Sequence, residues 1–204
     1  MKTRTIAVTS RGLGIHEALD MTETLGVESG LKQEEVLHLR LLAEELFGLL
    51  GGIAGDVEAG YWMEISEKDF ELHMKSFIEM TREIREQLLS ASSSGENEAA
   101  KGFMGKLRDM IAVKLLPSEE GPSLLASALM NAAWSSPYGN QVVSAADVWS
   151  MKDYRSSLED KIEESTDAKD AWDELEKSVV VSIADEIQIS IVASEVEITV
   201  FKSF

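Results

Sequence analysis

Residues 33–50 read QEEVLHLRLLAEELFGLL, and this stretch decides the fold. Leu39, Leu42, Leu46, Leu49 and Leu50 recur at three- and four-residue steps, the spacing of a helix with one buried face. Glu34 and Glu35 suit the positive end of the helix dipole. Gly51 and Gly52 follow and end the helix. Leu37, Leu41 and Phe47 widen the apolar surface beyond one stripe, which predicts a helix lying between layers. Glu44 has Leu41, Phe47 and Gly48 as helical neighbours and so falls near that surface. A carboxylate there is costly to desolvate unless something pairs with it. The alternative is a rim glutamate that reaches water.

Towards the N-terminus, residues 3–10 (TRTIAVTS) read as a strand rich in β-branched side chains. Residues 11–14 (RGLG) read as a turn, and the rest of a dinucleotide fingerprint does not follow. Residues 15–25 are expected to be a helix with Ile15, Leu19 and Thr22 on one side, and 26–30 (GVESG) a loop.

Towards the C-terminus, a glycine-punctuated connector (53–60) leads to two strands, 61–66 (YWMEIS) and 70–76 (FELHMKS). Both alternate with a period of two, which indicates one buried face. Glu67, Lys68 and Asp69 make the polar hairpin loop between them. His73 falls on the polar phase and is expected to face solvent. Residues 81–89 suit a short helix and 90–95 (SASSSG) a small-residue loop. A second helix is expected over 96–115, its apolar face formed by Phe103, Leu107, Met110, Ile111 and Leu115.

Residues 117–177 differ in character. They carry 13 Asp/Glu against 5 Lys/Arg and three of the four tryptophans: Trp134, Trp149 and Trp172. The stretch reads as helical. Its tryptophans either fill a small core or form a partner-binding surface, because aromatic residues concentrate binding energy. The end is β-rich again at 178–183 (SVVVSI), 187–191 (IQISI) and 195–201 (EVEITVF), with a hairpin turn at 192–194. The expected class is therefore α+β: a mixed, mainly antiparallel sheet with helices packed on one face. Residues 1–116 and 178–204 build this two-layer sandwich, and 117–177 form an acidic helical insertion.

Composition narrows the function. A net charge of -18 argues against direct nucleic-acid binding, which needs a basic surface. It suits a partner protein with a basic surface. The absence of cysteine excludes disulfides and thiolate metal sites. His16, His38 and His73 lack zinc-ligand spacing. No stretch approaches the roughly 20 apolar residues of a membrane span. The N-terminal residues lack the apolar core and cleavage site of a secretory signal. The expected location is cytoplasmic.

The order strand, helix, long helix, hairpin, helical stretch, hairpin resembles the Bergerat-fold ATP-binding domains of the gyrase, chaperone and histidine-kinase superfamily. The nearest likeness is to the anti-sigma-factor serine kinases. That family carries on its central helix a Glu followed four residues later by an Asn. The resemblance puts Glu44 on the Glu, the family's general base, and Gly48 where the magnesium-holding Asn stands. The family's Asp-x-Gly-x-Gly motif, whose Asp reads adenine, has only Glu79 as a positional stand-in. The family's phosphate-binding turn is similar to Lys101-Gly102-Phe103-Met104-Gly105-Lys106, which makes Lys101, Gly102, Gly105 and Lys106 candidate phosphate contacts. With Asn and Asp both replaced, the resemblance implies a non-catalytic regulator that binds another protein and can dimerise. No cofactor is expected on that reading. The alternative is a working serine kinase or ATPase that uses ATP and magnesium with Glu44 as base.

Overall fold

In the computed structural model, the described residues are 1–52, 57–78, 103–105, 107, 111, 115, 147–163, 166–192 and 194–204. The order of elements is β1 (Ile6–Thr9), α1 (Ile15–Glu28), α2 (Gln33–Gly52), β2 (Glu58–Ser66), β3 (Asp69–Phe77) and β4 (Asp147–Ser150). There follow α3 (Met151–Glu159), α4 (Thr166–Lys177), α5 (Val179–Ile183), β5 (Glu186–Val192) and β6 (Glu195–Ser203). The strands form one six-stranded sheet in the order β1-β2-β3-β6-β5-β4. Every pairing is antiparallel, and the class is α+β.

Alternation along the strands sets the two faces. Tyr61, Met63, Phe70, Leu72, Met74, Ile198, Val200 and Ile189 point to one side and are buried. α2 covers that side with Leu39, Leu42, Leu46 and Phe47, each at most 4 % exposed. Burying a leucine or phenylalanine side chain contributes about 1.5–3 kcal/mol. The Phe47 ring meets Tyr61 edge-on, with centroids 4.9 Å apart. α1 lies beside α2, and Thr22 on α1 joins the Tyr61 hydroxyl at 2.8 Å. Thr22 also donates to the Ala18 carbonyl, so both buried hydroxyls are satisfied.

One turn explains its own sequence. Gly14 precedes α1 with φ of 77°, and a Cβ there would sit 2.0 Å from the Ala7 carbonyl oxygen. Gly14 of the RGLG turn thus lets the chain enter α1 hard against β1.

The structure departs from the sequence reading at four elements. α1 continues through Gly26 to Glu28 rather than ending at Leu25. Gly26 is buried against Val36 and Leu39, so its missing side chain lets α1 approach α2. Leu37 is 52 % exposed and lies off the apolar face. Val179–Ile183 is a short helix, although its β-branched run reads as a strand. The Ser178 side chain caps it, and Val180 and Val181 are buried. Asp147–Ser150 is an edge strand paired with β5, where a helix was expected.

That edge strand ties the described part of 117–177 into the main core. Trp149, Met151, Leu158, Ala168 and Leu175 are buried in the same cluster as α2 and the sheet. A buried carboxylate fixes the junction. Glu186 accepts hydrogen bonds from the backbone N–H of Met151 at 2.9 Å and Lys152 at 3.3 Å. It also accepts from its neighbour Ile187 N–H at 2.8 Å and from the Ser150 hydroxyl at 3.1 Å. It therefore sits at the positive end of α3 and satisfies that helix's free donors.

Two outcomes follow from this packing. Glu186→Ala strands several buried donors and should cost about 2–3 kcal/mol in urea unfolding. Tyr61 gives a pH signature. Burial pushes its hydroxyl pKa well above the ordinary tyrosine value, and the Thr22 hydrogen bond offsets this only in part. In the unfolded chain Tyr61 ionises near pH 10 while in the fold it stays neutral. Its contribution is intact below about pH 10 and declines as pH rises further, by up to about 1.4 kcal/mol per pH unit. Urea unfolding between about pH 9 and 11 should show this decline in the wild type and a shallower one in Tyr61→Phe.

Candidate functional site

The helix face that carries Glu44 is open to water. The Glu44 side chain is 41 % exposed and accepts a hydrogen bond from Arg40 Nε at 2.8 Å. Arg40 also donates from Nη1 to Glu23 on α1. Arg40 therefore bridges two carboxylates across the α1–α2 pair. The Glu23 hydrogen bond chiefly, and the Glu44 bond after it, raise the guanidinium pKa further. Glu44 is thus the rim glutamate of the two sequence readings. Gly48 is exposed on the same helix, and a Cβ added there would meet nothing within 4 Å.

The remaining sequence candidates do not gather round Glu44. Gly105 is buried within a helical run at 103–105. Glu79, Lys101, Gly102, Lys106 and Trp134 lie outside the described residues. Trp149 is 6 % exposed and packs against Phe103 and Tyr154, so it fills the core. Trp172 is half-buried on α4, with the Arg155 guanidinium 5.5 Å from its ring centre. The same stretch, 151–177, carries the exposed acids Glu159, Asp160, Asp170, Asp173 and Glu176.

The opposite face of the sheet is polar and holds a constellation that sequence reading missed. His73 on β3 is only 9 % exposed, against the expectation of a solvent-facing residue. Its ring stacks on Trp62 of β2, centroids 4.9 Å apart and planes 3° from parallel. The backbone register makes this contact, because Trp62 and His73 are directly paired. On the other side, His73 pairs with Thr199 of β6. The Thr199 hydroxyl lies 3.2 Å from His73 Nδ1, and a Glu197 oxygen lies 3.4 Å from the same nitrogen. Neighbours in the sheet thus bury a polar side chain on an otherwise open face.

Carboxylates surround this ring. Glu64 and Glu71 are directly opposite across β2 and β3. Glu71 Oε2 is 3.3 Å from His73 Nε2. That pair is close without hydrogen-bond alignment, so Nε2 is buried and has no hydrogen-bond partner among the described residues. Glu64 accepts from Lys2 Nζ at 2.9 Å and from the Trp62 indole N–H at 3.3 Å. Lys2 first, then Trp62, hold the Glu64 carboxyl below its ordinary pKa. Beyond His73, Lys75 pairs with Glu195 at 2.8 Å and lies 3.8 Å from Glu197. One ligand atom each from Glu64, Glu71 and His73 lie within 4.8 Å of one another.

No family model, curated protein or solved structure matches the chain. Among the described residues, no helix is long and apolar enough to cross a membrane.

The Arg40 bridge is open to a direct test. Arg40→Ala and Glu44→Ala should each lower the thermal midpoint slightly. The double variant should lose less than the sum, and the coupling should shrink in high salt, because exposed ion pairs are screened. Additive losses at all salt concentrations would show that the two side chains do not interact.

Proposed function

We propose that the protein is a non-catalytic regulator on a degenerate ATP-binding sandwich of the histidine-kinase-like type, acting in the cytoplasm by binding another protein. The observation that supports this most is the state of Glu44. It is the one residue retained from the family's central-helix motif, and Arg40 already engages it on an exposed helix face. A general base must lie within hydrogen-bond reach of the proton it takes, and Glu44 Oε1 is instead held by the Arg40 guanidinium on an open helix face. Gly48 supplies no side-chain oxygen for magnesium, which prefers an octahedral oxygen shell.

Charge supports the choice of partner. The chain carries -18, and α3 and α4, which hold Arg155 and Trp172, also present exposed acids. A basic protein surface complements that patch and gains from electrostatic steering. Trp149 contributes to the core, whereas Trp172 is half-buried on α4.

Isothermal titration with Mg-ATP tests the reading. Losing a magnesium ligand and an adenine contact removes charge-assisted bonds of about 1.5–3 kcal/mol each. A micromolar site losing about 4 kcal/mol becomes roughly millimolar. The expected result is no binding tighter than about 100 μM and no change in any phosphate release on Glu44→Ala. Binding tighter than that, with turnover lost in Glu44→Ala, would favour a working kinase or ATPase.

A further inference from the structure

We propose that Glu64, Glu71 and His73 form a binding site for a first-row divalent metal ion, with Zn²⁺ as the best-matched ion, on the polar face of the sheet. The first observation is the donor set. Two carboxylates and an imidazole, with no thiolate in the chain, suit zinc and its neighbours better than magnesium. The three ligand atoms lie within 4.8 Å of one another, and His73 Nε2 and Glu71 Oε2 are 3.3 Å apart. Tetrahedral zinc with bonds of about 2.0–2.2 Å separates its ligand atoms by about 3.3–3.5 Å, so one edge of the polyhedron is already set.

The second observation is independent of the acids. His73 Nε2 is buried without a hydrogen-bond partner among the described residues. Its other nitrogen, Nδ1, faces the Thr199 hydroxyl at 3.2 Å and Glu197 at 3.4 Å. A metal-binding histidine characteristically donates its second N–H to a carboxylate or other oxygen, which fixes the tautomer and turns the free lone pair towards the metal. With Nδ1 as donor, Nε2 keeps its lone pair and has the Glu71 carboxylate 3.3 Å away, off the line of a hydrogen bond. In that tautomer two electron-rich atoms lie 3.3 Å apart, and a shared cation would bridge them.

Register supplies the third. Glu64 and Glu71 are directly opposite on adjacent strands, where like charges destabilise a sheet. Lys2 relieves this from the Glu64 side only. A divalent ion shared by both carboxylates relieves it fully. Glu64 is then released from Lys2, and its half-exposed side chain has the freedom to make that move. Water completes the coordination on the open side. The site lies on the face opposite α2, so it stands or falls independently of the nucleotide question.

The test is calorimetric titration of the full chain with Zn²⁺ in about 0.15 M salt and excess Mg²⁺, where the Debye length is about 8 Å and diffuse attraction to an acidic surface is suppressed. The expected result is one saturable Zn²⁺ per chain, weakened at least about 10-fold in Glu71→Gln and in Glu64→Gln. Both side chains are more than 40 % exposed, so these variants should fold, as circular dichroism will report. His16→Gln, which removes the separate His16–Asp20 pair, should leave binding unchanged. Co²⁺ should quench the fluorescence of Trp62, which stacks on His73, and Trp62→Phe should remove that quenching. No saturable binding, binding indifferent to Glu71→Gln, or binding lost in His16→Gln would each overturn the proposal.

Discussion

The structure depends on the burial of α2 against one face of the sheet. Leu39, Leu42, Leu46 and Phe47 share one buried cluster with Tyr61, Met63 and Leu72, and the Phe47 ring meets Tyr61 directly. That burial decides which side of each strand is apolar, because a strand offers its side chains alternately to its two faces. It also brings α1 within reach of Tyr61 through Thr22. The polar face follows by elimination: Trp62, Glu64, Glu71, His73 and Thr199 are the residues left pointing away from the helices. A one-residue slip in β2 or β3 would exchange the two sets. The hydrophobic layer therefore also holds the polar constellation together.

How much of this was legible depended on the range of the signal. α2 showed itself because leucines at helical spacing are a local pattern with local caps. The two hairpins showed themselves because alternation and a short turn are equally local. Val179–Ile183 read as a strand because valine and isoleucine favour extended backbone. It is helical because Ser178 caps it and the core takes Val180 and Val181. Asp147–Ser150 carried too few residues for a period, and only its pairing with β5 makes it a strand. Trp149 read either as filling a small core or as part of a partner surface. Its burial comes from contacts with Phe103 and Tyr154 that sequence spacing does not announce.

The candidate sites divide in the same way. Glu44 was visible as a carboxylate on the central helix with Arg40 one turn before it, but the bridge onward to Glu23 was not, because Arg40 and Glu23 meet only when α1 lies beside α2. His73 was misplaced for a related reason. The polar phase of a strand implies water only when neighbouring strands are short-chained. Here Trp62 and Thr199 flank it in register and close over the ring. Glu71 and His73 are two apart, and Glu64 comes from another strand, so no spacing along the chain could join the three. Zinc-ligand spacing rules look for ligands close in sequence and are blind to such a set.

The central claim is a division between the two faces of the sheet. The helical face is structural, with Glu44 committed to Arg40, and the polar face is chemically available. Chemical-shift mapping by NMR on the full chain tests this directly, with Zn²⁺ and Mg-ATP added in separate titrations. The account expects Zn²⁺ to move amide signals around Trp62–Glu64, Glu71–His73 and Glu197–Thr199, and Mg-ATP to move none on α2. Mg-ATP shifts centred on Glu44 and Gly48, with the signals around His73 indifferent to Zn²⁺, would contradict it.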